Sequence, residues 1–292
     1  MKNPFSGLII PLITPFSEGE IDYCSLKNLI SFCATNGANG FVCLGTTAET
    51  PTLTPKERDA VVSFCIENSR GLPVISGAGS NCTADAVKLA KRAYALGANG
   101  VLSVCPYYNN PPESGIIAHF CEISNAVPLP VILYDVPSRT GVEMSVDAIY
   151  KLSGLHNITG IKAAGNSVDK LKLISEFTAD DFALFCGNDM LTAEAYASGA
   201  AGTISAAANV IPEVFAGITS LFQSGKGNEA KALLEKNRKL IRALYTETNP
   251  VAIKYALSAA GMIKNELRLP MCPISRKNAV IVDEALKIKE VV

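Results

Sequence analysis

The chain has 292 residues, 48% of them hydrophobic and only 18% charged, with a formal net charge of −1; such a composition can fill a large core and excludes a disordered chain. The basic residues are scattered, which excludes an electrostatic footprint for nucleic acid or an anionic membrane. The nine cysteines are odd in number, lack any C-x-x-C pair and fall mostly in apolar segments, so a disulfide framework is excluded and a cytoplasmic location is expected.

The first apolar run, Leu8 to Ile13, is interrupted by Pro11 and reads as a strand; it is too short for a signal-peptide core or a membrane span. An amphipathic helix over Cys24–Thr35 follows, then Gly37-Ala38-Asn39-Gly40 and a second strand from Gly40. Thr54-Pro55-Lys56-Glu57 spells a capping box with proline at the first helical position, opening a helix to Asn68. A third strand starts near Pro73, a helix covers Thr83–Leu96, and the same four residues recur as Gly97-Ala98-Asn99-Gly100 before the fourth strand. In each copy one glycine ends a helix in the left-handed conformation and a second enters the next strand. Further strands begin near Val131, Ile158, Phe182 and Gly202, with a helix over Val168–Glu176 and a near copy of the junction at Ser198-Gly199-Ala200-Ala201-Gly202.

The apolar residues within these strands are consecutive, the pattern of parallel strands covered on both faces. Eight strand–loop–helix units with right-handed crossovers close most simply into an α/β (β/α)8 TIM barrel, with a doubly wound open sheet as the structural alternative. Helices over Asn228–Glu247, Val251–Ala260 and Ser275–Lys289, broken at Asn249-Pro250 and Arg268-Leu269-Pro270, exceed what a barrel needs. The expected organisation is therefore a barrel over 1–224 and a C-terminal helical subdomain over 225–292.

A barrel carries its chemistry at the carboxyl ends of its strands. Here those ends read Gly45-Thr46-Thr47-Ala48-Glu49, Pro106-Tyr107-Tyr108-Asn109, Tyr134 to Gly141, Gly160-Ile161-Lys162, Gly187-Asn188-Asp189 and Thr203-Ile204-Ser205. Lys162 closes an apolar strand, and partial desolvation there favours the neutral, nucleophilic amine of Schiff-base chemistry. Alone, such a lysine more often packs its stem and snorkels its ammonium to water. Its company argues for the reactive reading: Tyr134 on the adjacent strand could move the protons of carbinolamine formation and dehydration, with Thr46 and a second tyrosine as relays, and Arg139 offers a fork for a carboxylate. Only two histidines exist, His119 and His156, neither at a strand end, so neither a histidine triad nor a metal centre is expected. Gly77-Ala78-Gly79 has Cys82 at the third glycine position of a dinucleotide fingerprint, and Ser224-Gly225-Lys226 lacks the upstream glycine of a P-loop.

These strand-end motifs, with Ile13-Thr14-Pro15-Phe16, Asn249-Pro250 and Leu267-Arg268-Leu269-Pro270, resemble from end to end the pyruvate-dependent class I aldolase superfamily and, within it, the 4-hydroxy-tetrahydrodipicolinate synthase family. The resemblance implies that Lys162 forms an imine with pyruvate and that Tyr134 is proton donor and acceptor, with Thr46 and a Tyr108 from a neighbouring subunit completing the relay. It implies that Thr47 and Ile204 bind pyruvate, that Gly187 lines the pocket, and that Arg139 holds the carboxylate of L-aspartate 4-semialdehyde. It further implies a lysine-biosynthetic lyase of the diaminopimelate route that needs no cofactor, assembled as a homotetramer, a dimer of dimers. Sister aldolases acting on N-acetylneuraminate or 2-keto-3-deoxy sugar acids, and a non-catalytic keto-acid-binding barrel, are the competing readings.

Three residues depart from the family pattern: Ala48 for a glycine, Asp135 for an asparagine and Ala163 for a glutamate. At the family's lysine-inhibition site Asn81 and Tyr107 are present and Asp85 stands for a glutamate, but Pro55 and Arg58 replace histidines, so weak or absent inhibition by lysine is expected.

Overall fold

The computed structural model describes residues 1–179 and 181–290. Eight strands hydrogen-bond in parallel around a closed barrel: β1 Gly7–Pro11, β2 Gly40–Cys43, β3 Val74–Gly77, β4 Gly100–Val104, β5 Val131–Asp135, β6 Ile158–Ala163, β7 Ala183–Cys186 and β8 Gly202–Ile204. Closure is direct, since β1 pairs with β8 through Gly7–Gly202, Leu8–Thr203 and Ile9–Ile204. That pairing excludes the open sheet.

The outer ring is α1 Tyr23–Thr35, α2 Pro55–Asn68, α3 Thr83–Ala95, α4 Glu113–Ala126, α5 Val146–Ser153, α6 Val168–Ser175, α7 Thr192–Ala197 and α8 Pro212–Gln223. The expected capping box is formed: the Thr54 hydroxyl accepts from the Glu57 amide at 3.3 Å and the Glu57 carboxylate from the Thr54 amide at 2.8 Å. The two identical junctions do identical work. Gly37 and Gly97 leave α1 and α3 at φ 92° and 87°, and the asparagine two residues on accepts a backbone N–H of the preceding strand, Asn39 from Leu8 and Asn99 from Val74, both at 2.8 Å. A side chain thus completes the strand ladder where the parallel neighbour has not yet begun.

Three helices follow the barrel, α9 Gly227–Ala243, α10 Val251–Ala259 and α11 Arg276–Glu290. Leu244, Ile253, Leu257 and Val282 share one apolar cluster with Leu8, Ile10, Phe41 and Phe215, so the extension is packed into the layer between strands and helices. Inside the barrel a separate cluster contains Ile9, Val42, Ile75, Leu102, Ile132, Phe185 and Ile204, and Tyr134 closes it at the carboxyl end. Above this plug the carboxyl ends of several strands form a polar face, which is where the candidate residues lie.

Candidate active site

Backbone register sets the centre of the site. Val104, Tyr134, Lys162 and Phe185 are successive Cα partners across β4, β5, β6 and β7, forming one row near the top of the barrel. Tyr134 and Lys162 both point inward, and the Lys162 Nζ stands 4.4 Å from the Tyr134 ring centroid. Lys162 is only 6% exposed. Among the described residues its ammonium has neither a hydrogen-bond nor an ion-pair partner, so the nitrogen keeps a free lone pair once it loses a proton. Gly187, just beyond β7, lies against its stem: a Cβ there would meet Lys162 Cε at 2.9 Å, Lys162 Cγ at 3.0 Å and Ala164 Cβ at 2.8 Å. Glycine at this position is a steric requirement for the lysine to lie where it does.

Thr46 and Thr47 form a single 3-10 turn, Thr46–Ala48, after β2, with Thr47 and Ala48 buried. The turn is held from several sides. The Thr14 hydroxyl donates to the Ala48 carbonyl at 2.9 Å, the Thr50 hydroxyl to the Gly45 carbonyl at 2.9 Å, and the Asn249 side-chain amide to the Thr47 hydroxyl at 2.9 Å. Asn249 also links across the mouth, because its carbonyl accepts from the Arg139 guanidinium at 2.9 Å. Arg139 sits in the helical turn Pro137–Thr140 after β5, exposed at the rim. Asn249 therefore joins two of the expected binding residues, and its side-chain oxygen is buried with no partner among the described residues. Ile204, at the end of β8, is buried inside the barrel beneath this group. The structure thus gathers Lys162, Tyr134, Thr47, Gly187, Ile204 and Arg139 at one mouth, with Thr46 in the turn beside them.

Tyr108 stands apart from them. It has a left-handed φ of 71° and is 91% exposed, and its amide donates to the Thr140 carbonyl at 3.4 Å. Next to it Tyr107 is 39% exposed. Asn81 and Asn109 exchange hydrogen bonds beneath this loop, while Asp85 pairs with Lys88 at 3.1 Å. Arg58 is turned onto its own neighbourhood, donating to the Leu53 and Thr50 carbonyls.

Two of the three departures face away from the mouth. Asp135 and Ala163 are Cα partners on β5 and β6, one residue beyond the inward-facing Tyr134 and Lys162, so alternation sends both outward. Asp135 meets Lys170 of α6 at 2.7 Å, and Lys170 also donates to Glu143 and the Met144 carbonyl. Burial raises the Asp135 carboxyl, against the pull of Lys170. His119 is buried and pushed down to about 4 by burial, with its Nδ1 3.0 Å from the Thr83 hydroxyl. It lies outside the site, as its place within α4 dictates.

The strand-end reading missed what the C-terminal extension brings. Asn249 precedes α10, and Tyr245 of the same connection reaches Asp189 beside Gly187. The Asn249-Pro250 pair was visible as a helix break, and nothing local tells that the break is aimed at the mouth. A second ionic cluster underpins the Thr46–Ala48 turn: Lys254, fully buried on α10, donates to Glu49 and to the Glu266 carbonyl, and Glu49 also accepts the Arg268 amide at 3.1 Å.

A model of the dihydrodipicolinate synthetase family matches residues 4–289. The chain belongs to that family. A family relative, the 4-hydroxy-tetrahydrodipicolinate synthase of Alkaliphilus oremlandii, is 39% identical over 289 residues, 99% of this chain and 100% of its own length. The crystal structure of the dihydrodipicolinate synthase from Thermotoga maritima superposes with a TM-score of 0.97 at 38% identity, covering 99% of this chain and 100% of that one. The chloride-inhibited family member from Acinetobacter baumannii, solved in complex with pyruvate, gives a TM-score of 0.95 at 35% identity, covering 98% and 99% of the two chains.

Proposed function

We propose that the chain condenses pyruvate with L-aspartate 4-semialdehyde to 4-hydroxy-tetrahydrodipicolinate through an imine on Lys162. The observation that carries this reading is the unpaired Lys162 amine, buried at the carboxyl end of β6 and seated over the Tyr134 ring. Full-length relatives bearing the synthase name, one of them solved with pyruvate, support the choice of substrates.

In this scheme the neutral Lys162 Nζ attacks C2 of pyruvate, and the carbinolamine loses its hydroxyl as water to give a protonated imine. Tyr134, whose ring the nitrogen overlies, delivers that proton and takes it back, with Thr46 as relay. Loss of a C3 proton makes the enamine, with the imine nitrogen as electron sink, and C3 then bonds to the aldehyde carbon. The amino group of the second substrate attacks C2, closes the ring and expels Lys162, so one water leaves overall and the new hydroxyl stays. Thr47 and Ile204 hold the pyruvate end, Gly187 leaves room for it, and the Arg139 fork takes the carboxylate of the semialdehyde.

Tyr108, exposed and held in a left-handed conformation, serves the relay in a second copy of the chain, in a homotetramer built as a dimer of dimers. The segment 225–292 acts as a subdomain that positions the mouth through Asn249. With Arg58 occupied by backbone carbonyls, Asn81, Asp85 and Tyr107 bind lysine weakly or not at all. Among the described residues no helix is long and apolar enough to cross a membrane, in keeping with an enzyme of the cytoplasm.

The test is borohydride reduction with pyruvate followed by peptide mass mapping, together with turnover of pyruvate plus aspartate semialdehyde against pyruvate release from sugar acids. An adduct on Lys162 and condensation with the semialdehyde are expected. An adduct elsewhere, or turnover of sugar acids alone, overturns the proposal.

A further inference from the structure

Beside Lys162 lies an acidic group that the scheme above does not use. Asp189 starts the 3-10 turn Asp189–Leu191, two residues after Gly187, whose Cα abuts the Lys162 stem. Its carboxyl is buried, and two donors converge on its Oδ2: the Ala207 amide at 2.9 Å and the Tyr245 hydroxyl at 2.6 Å. Its Oδ1 is also buried, yet has no hydrogen-bond partner among the described residues. Tyr245 shows 40% of its surface to solvent while turning its hydroxyl inward onto this carboxyl.

Two donors favour a carboxylate, whereas burial without a full set of partners opposes it, and here burial prevails and raises the Asp189 carboxyl. A nearby cation relieves this conflict, and the charge of Lys162 acts on Asp189 in that sense. The other titratable groups around the pair are Tyr134 under the amine, Tyr245, the Cys186 thiol, pushed up to about 12 by burial, and Glu194, which acts on that thiol.

We infer that Asp189, oriented by Tyr245 and the Ala207 amide, is the counter-ion of the cationic imine on Lys162. The inference rests on the imine reading and deepens it. In that reading the nitrogen, neutral when it attacks, becomes a protonated imine in the same poorly hydrated position. A fixed carboxylate keeps that proton on, and a protonated imine withdraws electrons from C3 far better than a neutral one. Asp189 touches neither substrate, so it is a positioning residue whose effect passes through Lys162.

The test uses the full chain and two near-isosteric variants, D189N and Y245F, with kcat, pyruvate KM and borohydride trapping followed across pH and thermal melting recorded alongside. For D189N the expected result is a kcat at least about tenfold lower and an alkaline limb of the profile, where the imine loses its proton, moved about one unit toward acid. Y245F moves both in the same direction by a smaller amount, about threefold in kcat, because the carboxylate remains but loses one donor. Profiles of D189N that superpose on the parent's, even with a lowered melting temperature, mark a merely structural carboxylate and overturn the inference. Should D189N fail to fold, an unmoved profile in Y245F overturns it equally. A parent enzyme that yields no adduct defeats the imine reading itself, whereas a trapped parent with an unmoved D189N profile defeats only the counter-ion.

Discussion

Among the described residues two lysines are buried, each over an aromatic ring: Lys162 above Tyr134 at 4.4 Å and Lys254 above Phe16 at 4.2 Å. Burial and ring contact are thus common to both. They differ in what else the ammonium meets. Lys254 donates to Glu49 and to the Glu266 carbonyl, and its ring neighbour Phe16 is shared with Arg268 at 4.5 Å, whereas Lys162 meets no acceptor among the described residues. An amine engaged by a carboxylate and a carbonyl ties elements together, while one that no protein group engages is left open to a substrate carbonyl. What separates the two lysines is therefore their partners rather than their depth.

Exchanging either lysine should expose that difference, and this is the largest effect expected. K162A removes the nucleophile and should lower turnover by about 10³-fold or more while leaving the urea midpoint nearly unmoved. K254M should do the reverse, leaving Glu49 buried and uncompensated at about 3–5 kcal/mol of stability, with trapping by pyruvate retained per folded molecule. Should K254M abolish trapping in folded protein, or K162A unfold the chain, the division of labour between the two lysines is wrong.

A smaller effect comes from moving the reactive amine without removing it. In G187A the new methyl meets the Lys162 stem at 2.9 to 3.0 Å, so the side chain must shift. Misplacement of about 1 Å can cost about 10²-fold in rate, and a loss of that order in kcat is expected with circular dichroism unchanged. Full activity in G187A would show that the amine has more room than the packing indicates.

The smallest effect belongs to the rim of the ionic cluster. Glu57 is held down to about 2, first by the hydrogen bonds from the Arg268 guanidinium. Its folded value lies below the ordinary 4.5, so its contribution to stability is complete above about pH 4.5 and is lost as the pH falls toward 2. Urea midpoints of E57Q should therefore decline less between pH 4.5 and 2 than those of the parent. Parallel curves would mean that the Arg268 contact is too well hydrated to matter.

Most of the barrel was legible because each unit is written locally. The Gly37 and Gly97 junctions, the Thr54–Glu57 box and the consecutive apolar residues of each strand need no distant partner to be read. Lys162 and Tyr134 were legible for a related reason: a barrel turns strand ends into neighbours, and their register pairs them directly. Alternation also explains why Asp135 and Ala163, although beside those two in sequence, leave the pocket alone. Asn249, Tyr245 and Lys254 were not legible as site or scaffold residues. Each meets its partner 56 to 205 positions away, through the packing of an extension whose own helical pattern says nothing of where it docks.

The Glu49–Lys254 bond has a consequence for synthesis. On the ribosome Glu49 emerges 205 residues ahead of its lysine, which at ~5–20 residues per second is a wait of roughly 10 to 40 s. For that interval the nascent barrel carries a lone carboxylate beneath its threonine turn and no Asn249 to anchor it, so the pocket is assembled only as translation nears its end.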